Sequence, residues 1–371
     1  MTNIGNRRIV VMSGTGGVGK TTLSAAWALH QAQLGRHVLV LTIDPARRLA
    51  QALDLEPSAG IAQPITLPKT QGGSLHAAML DARMTFDYIV EQFSPNPDIA
   101  RRILANPYYQ KAAGALGGSQ EYMAMEALLE AVQDDQWDLV VLDTPPSHNA
   151  IEFLDAPRRL LAVLERGGLG WLITPAFDAA MAGTRLFGRG GAALFRIFER
   201  LTGATVLQGM AEFVTSFADL LPGFRERAAA VRELLQGSDA AFVLVTAPRQ
   251  DMHGPARRFA RALEERGHRL DVVAINRCAE AIRTDASSIS LQEIATLTEL
   301  PTGQAQQFHQ EIVAYQQRRE QRWQEEQLAI GRLDEALPGI PKWRLSEAPR
   351  PPHSVQDLAD LAEQFSVLEA S

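Results

Sequence analysis

The chain has 371 residues, with 46% hydrophobic and 21% charged side chains, enough to bury a large core, and it reads as globular. A formal net charge of −7 gives no electrostatic footprint for nucleic acid. One cysteine, Cys278, excludes an internal disulfide framework and an all-thiolate metal site within one subunit, which points to a reducing, cytoplasmic setting.

Met1–Arg8 is polar and lacks the apolar core of a signal peptide. No window reaches 18 uncharged apolar residues; the closest, Gly167–Phe177, ends at Asp178, so a soluble protein is expected. Arg8–Ser13 is a short β-rich run, followed by the glycine-rich turn Gly14–Gly19. Apolar spacing at Leu23, Ala26, Trp27 and Leu34 predicts a helix over Lys20–Leu34, stopped at Gly35. His37–Ile43 is nearly continuous apolar sequence, as a buried parallel strand should be. Further strands are expected at Leu75–Leu80, Asp138–Leu142, Ala241–Thr246, Asp271–Ile275 and Trp343–Leu345. Strands alternating with helices predict a doubly wound, mainly parallel α/β sheet, one domain over residues 1–371. Residues 84–132 and 155–235 break the rhythm with mostly helical, Phe- and Met-containing sequence, and are expected to form an inserted helical subdomain. Phe308–Leu337 has the spacing of a long amphipathic helix.

Gly14-Thr15-Gly16-Gly17-Val18-Gly19-Lys20-Thr21 matches G-x-x-x-x-G-K-[ST], with a strand before it and a helix after it. Glycines allow successive backbone N–H groups to turn toward a phosphate, and the helix N-terminus adds a positive dipole end. In that arrangement Lys20 reaches the β- and γ-phosphates of ATP and the Thr21 hydroxyl ligates Mg²⁺. The chain has four lysines, Lys20, Lys69, Lys111 and Lys342, so a lysine at the motif position is informative. Such a site needs an acid at the end of a second apolar strand, and Asp143 after Leu139–Leu142 is the candidate. Asp44, after the strand over residues 38–43, is either the residue that orients the attacking water or the cap of the next helix.

At these residues the sequence resembles the ArsA family of ATPases, which includes subunits of arsenite pumps and ATPases that target tail-anchored membrane proteins. The family pattern G-K-G-G-V-G-K-[ST]-[ST] corresponds to Gly14–Thr22. The first switch, D-P-A-H-[SN]-L, is similar to Asp44–Leu49, and the second, D-T-A-P-T-G-H-T, to Asp143–Ala150. The resemblance implies a water-activating role for Asp44 and a Mg²⁺ role for Asp143. It implies adenine recognition by Asn276, with the loop at Ala348-Pro349 packing on the base, and a dimer.

Thr15 stands where the family has a lysine that reaches the partner's nucleotide, which implies a heterodimer with a lysine-bearing paralogue, or else a slow homodimer. Arg47 and Arg48 replace His and Ser/Asn, and the family's second-switch His position falls on Asn149, beside His148. Cys278 alone cannot build the three-thiolate arsenite site, the shared-zinc C-x-x-C pair or an iron–sulfur cluster, and it reads as a small buried hydrophobe.

The function expected is therefore ATP hydrolysis coupled to a change of shape, acting on a client or membrane partner. The alternatives are a MinD/ParA-like positioning ATPase, disfavoured by the acidic C-terminal Leu358–Ser371 and the net charge, and a nucleotide-binding regulatory subunit with little hydrolysis.

Overall fold

A computed structural model describes residues 3–42, 53, 62–80, 82–107, 109–110, 119–144, 151, 154–156, 221–281, 290–298 and 301–370. Its strands are β1 (Ile9–Gly14), β2 (His37–Thr42), β3 (Gln63–Ile65), β4 (Ser74–Met79), β5 (Leu139–Asp143), β6 (Ala240–Thr246), β7 (Leu270–Cys278) and β8 (Lys342–Ser346). They form one sheet in the order β3-β4-β2-β5-β1-β6-β7-β8. Every pairing is parallel except β3 with β4. The short antiparallel edge strand β3 was not expected from sequence; it is three residues long and includes Pro64, which suits an edge.

The helices are α1 (Lys20–Gln33), α2 (Ala82–Phe93), α3 (Pro97–Ala105), α4 (Ser119–Gln133), α5 (Leu221–Gln236), α6 (His253–Glu264), α7 (Leu291–Thr298), α8 (Thr302–Ala336) and α9 (Val355–Ala370). The central strands carry continuous apolar sequence because both faces of the sheet are covered. Alternate residues divide between two cores. On one face Val10, Met12, Val40 and Val141 pack with Trp27 of α1 and Leu358, Leu361 and Phe365 of α9. On the other, Val11, Leu41, Leu142 and Phe242 pack with Leu128 of α4, Phe259 and Leu263 of α6 and Leu333 of α8.

α8 starts at Thr302, six residues before the sequence boundary, and runs for 35 residues. The described parts of the two helical stretches meet: Arg227 of α5 pairs with buried Glu126 of α4, and its guanidinium lies over the Phe93 ring of α2 at 5.1 Å. The helix break expected near Pro95–Pro97 is observed, with the Asn96 side chain accepting from the N–H groups of Asp98 and Ile99 to cap α3. The break at Gly114–Gly118 and most of 155–235 lie outside the described residues. No described helix is long and apolar enough to cross a membrane.

Chain order reverses around β1: β5 lies on one side of it and β6 on the other. The crevice beyond the C-terminal ends of strands at such a reversal is where α/β folds bind ligands. Gly14 ends β1 there.

α1, which leaves that crevice, is held against α9 and β8 by an aromatic cluster. Trp27 is fully buried, 4.9 Å from Trp343 and 5.2 Å edge-on to Phe365 between ring centroids. Trp27→Ala should therefore destabilise the protein by about 3–5 kcal/mol, read as a lowered denaturant midpoint. A loss below about 1 kcal/mol would mean that this cluster does not hold α1 in place.

Candidate functional site: a phosphate loop and a buried carboxylate

The turn between β1 and α1 is set by backbone constraints. Gly19 is the N-cap of α1 with φ 86°, and a Cβ there would lie 2.4 Å from the Asn276 amide nitrogen. Gly14 faces the Val245 carbonyl, which a Cβ would approach to 2.4 Å. Both positions exclude side chains, one by backbone conformation and by space, the other by space alone.

The first residues of α1 point into the core rather than to solvent. Lys20 Nζ donates to Asp143 Oδ1 at 2.9 Å and to the Thr144 carbonyl. Thr21 Oγ1 donates to Asp143 Oδ2 at 2.7 Å. The ion pair is desolvated, with Lys20 8% exposed and Asp143 0%. Two further hydroxyls complete the cluster: Thr42 at the end of β2 donates to Asp143 Oδ2 at 3.0 Å, and Ser24 of α1 to Oδ1 at 3.3 Å. Asp143 can sit there because β5 pairs with both β1 and β2, with Met12 and Thr42 as its register partners. Thr144 continues the site, its hydroxyl donating to the Met12 carbonyl at 2.8 Å.

Sequence reasoning singled out Lys20, Thr21 and Asp143, and the fold brings them together. It missed Thr42 and Ser24. A polar residue closing an otherwise apolar strand, and a serine one helical turn after Lys20, were the available signals. Asp44, Arg47, Arg48, His148 and Asn149 lie outside the described residues. Thr22 lies one residue further along α1, lining a cavity of about 800 Å³ with Gly19, Asn276 and Pro349. Thr15, Gly16, Gly17 and Val18 line a second cavity of about 750 Å³ on the other side of the loop. Within it the Thr15 hydroxyl lies 3.7 Å from the Met252 sulfur.

Asn276 lies inside β7, which runs past the expected strand end at Ile275 to Cys278. The β7–β8 register shifts between Ile275 and Cys278, and Arg277 takes a left-handed φ of 62°. That irregularity turns Asn276 toward the loop, where its amide donates to the Val18 carbonyl at 2.9 Å and its oxygen accepts from the Arg277 N–H at 2.9 Å. Asn276 is thus tied to the phosphate loop as well as lining the cavity beside Pro349.

The cluster offers a hydroxyl and a carboxylate, with no nitrogen or sulfur ligand. That oxygen set suits Mg²⁺, which takes one or two carboxylates together with phosphate and water oxygens. Strand, glycine turn at Gly14–Gly19, buried lysine, hydroxyl and strand-end acid are the features of a P-loop NTPase fold.

Comparison with known proteins narrows this class. The profile of the Anion-transporting ATPase (ArsA_ATPase) family matches residues 7–178. ATPase GET3 of Malassezia globosa is 27% identical over 57% of this chain and 59% of its own length. Putative arsenical pump-driving ATPase 1 of Aquifex aeolicus is 28% identical over 40% of this chain and 38% of its own. ATPase ARSA1 of Chlamydomonas reinhardtii is 27% identical over 76% of this chain and 36% of its own. Over residues 7–178 the chain is thus similar to the ArsA ATPase family. It spans between 36% and 59% of the length of these relatives.

Cys278 is 8% exposed, and its thiol lies 3.3 Å from the Ile275 carbonyl. Burial first, then the nearby Glu326 carboxylate, pushes its pKa up to about 11. The thiolate is the reactive form. In the folded protein at pH 8 an aromatic disulfide reagent should therefore react slowly, with fast stoichiometric release only after denaturation. A rapid burst from the native protein would show an accessible, reactive thiol instead.

Proposed function

We propose that this chain is a Mg²⁺-dependent ATPase that couples its nucleotide state to a change of shape and acts on a client or membrane partner. The observation that carries the reading is the buried Lys20–Asp143–Thr21 cluster at the start of the helix following the glycine turn. Backbone N–H groups of Gly14–Gly19 and the N-terminus of α1 would receive phosphate oxygens. Lys20 would exchange part of its contact with Asp143 for the β- and γ-phosphates. Thr21 and Asp143 would hold Mg²⁺, whose charge neutralises the phosphate oxygens as negative charge shifts during transfer. Asp44 would orient the attacking water and accept its proton. Its support is the resemblance and the position of Thr42, two residues upstream, against Asp143. Asn276 and Pro349, on the walls of the cavity next to Gly19, would receive adenine.

Three substitutions separate these roles. Lys20→Ala removes a charged phosphate contact, worth roughly 1.5–3 kcal/mol, and should abolish binding or turnover. Asp44→Asn should keep Mg-ATP bound and slow hydrolysis, and Asp143→Asn should weaken the response to Mg²⁺. Equilibrium binding and phosphate release read all three. Unchanged nucleotide affinity in Lys20→Ala would remove the basis for the assignment, and a normal rate in Asp44→Asn would reduce Asp44 to a helix cap.

Assembly follows from Thr15. A hydroxyl beside the Met252 sulfur offers no charge to a neighbouring nucleotide. We propose a dimer, with a paralogue whose lysine enters this chain's site, and the helical stretches over 84–132 and 155–235 as the part that meets the client. A cation supplied in trans is worth about 10³–10⁵ in rate in the GTPase precedent. The isolated chain should therefore turn over slowly, and a Thr15→Lys homodimer should turn over faster. Light scattering and turnover of the chain alone test this: brisk hydrolysis by a wild-type homodimer or monomer would leave no need for a second lysine-bearing subunit.

A further inference from the structure

The 800 Å³ cavity that begins at Gly19 and Thr22 has a far wall that the nucleotide reading leaves without a role. That wall is α8. Tyr315, Arg319 and Arg322 recur at i, i+4 and i+7 and all line the cavity, so one stripe of the helix faces it. Tyr315 is 56% exposed, unusual for an aromatic ring on the wall of a cavity beside a phosphate loop. The Arg319 guanidinium lies over that ring, 6.0 Å from its centroid. Arg319 has no carboxylate partner among the described residues, whereas Arg322 is paired with Glu326 at 2.7 Å and Glu347 at 2.7 Å.

The stripe is also held in register with the phosphate loop. Buried Glu326 accepts from the Ala279 N–H at 2.6 Å, and Arg322 reaches the Arg277 carbonyl at 3.3 Å. Both contacts fasten α8 to the end of β7, where Asn276 grips the Val18 carbonyl. A nucleotide with its phosphates on Gly14–Lys20 would find this cavity, which begins at Gly19 and Thr22, next to the loop to take its ribose and base. Planar guanidinium and phenol groups are the side chains on which nucleobases stack.

We propose that Tyr315 and Arg319 of α8 form a stacking platform for the base of a purine nucleoside triphosphate, the base adding a further layer to the Tyr–Arg stack opposite the Pro349 loop. This rests on the ATP reading above and names the residues that recognise the base end of that ligand. The platform puts base recognition on α8 while phosphate recognition stays on α1, so the two ends of one ligand bridge elements from opposite faces of the sheet.

The test compares a ligand with a base to one without. The full-length chain is titrated calorimetrically with a non-hydrolysable Mg-ATP analogue and with Mg-tripolyphosphate, which engages the phosphate loop alone. Tyr315→Ala and Arg319→Ala should each weaken the nucleotide by roughly 5- to 100-fold, the range for loss of one base–side-chain stack, and leave tripolyphosphate within about twofold. Tyr315→Phe, which keeps the ring, should retain wild-type affinity. Both side chains are partly or largely exposed, so the variants should fold, as circular dichroism would verify. Nucleotide affinity within twofold of wild type in both alanine variants overturns the platform. An equal loss for both ligands overturns it too, because it marks a structural role. Failure of the wild-type chain to bind either ligand overturns the ATP reading beneath it, and the platform with it.

Discussion

The structure is organised around one buried charge. The Asp143 carboxylate is fully desolvated and accepts from Lys20, Thr21, Ser24 and Thr42. An isolated carboxylate in that position would cost several kcal/mol. It is tolerable because four donors converge on it from two separately placed elements: Lys20, Thr21 and Ser24 from α1 and Thr42 from β2. The sheet order β2-β5-β1 follows from the same constraint, since Asp143 must lie beside both Thr42 and the strand that launches α1. Loss of one partner leaves the other charge uncompensated, which typically costs about 3–5 kcal/mol. Site and scaffold therefore share the same residues, and substitutions at Lys20 or Asp143 must be read for stability as well as for ligand binding.

Much of this was legible in the sequence because it is encoded locally. The phosphate loop is a contiguous motif, and the parallel strands announce themselves as apolar runs at Ile9–Met12, Val38–Leu41 and Leu139–Leu142. Asp143 was legible because a lysine at Lys20 calls for an acid at a neighbouring strand end. What stayed hidden is non-local. Thr42 and Ser24 are ordinary residues until β2 and β5 are paired in register. β3 is too short to show a period. The extension of β7 through Asn276 depends on its partner β8 and on a left-handed Arg277, which no propensity suggests. The Tyr315–Arg319–Arg322 stripe did not stand out within the amphipathic helix expected at Phe308–Leu337, because nothing in the sequence tells which cavity that face adjoins.

Asn276 illustrates how a residue assigned one role from resemblance acquires a second from geometry. Its amide holds the Val18 carbonyl, and its nitrogen occupies the space that any side chain at Gly19 would need. The end of β7 thus limits both the sequence and the conformation of the phosphate loop. Through Ala279 and Arg277 the same strand end is fastened to α8, which packs in turn against α6 and α7. A continuous set of hydrogen bonds joins the loop to a 35-residue helix, a geometry suited to carrying a small local displacement over a long lever.

The aromatic cluster beneath α1 has an optical consequence. Trp27 and Trp343 lie 4.9 Å apart with their ring planes inclined at 37°, locked by His30 and Phe365. Two indoles held that close in a fixed chiral arrangement couple their electronic transitions, giving a paired positive and negative band in the ultraviolet circular dichroism spectrum. One of the pair belongs to the helix that begins with Lys20, the other to the last strand of the sheet. The protein thus has a built-in chromophore pair whose signal follows how the helix leaving the phosphate loop sits on the sheet, without any label attached.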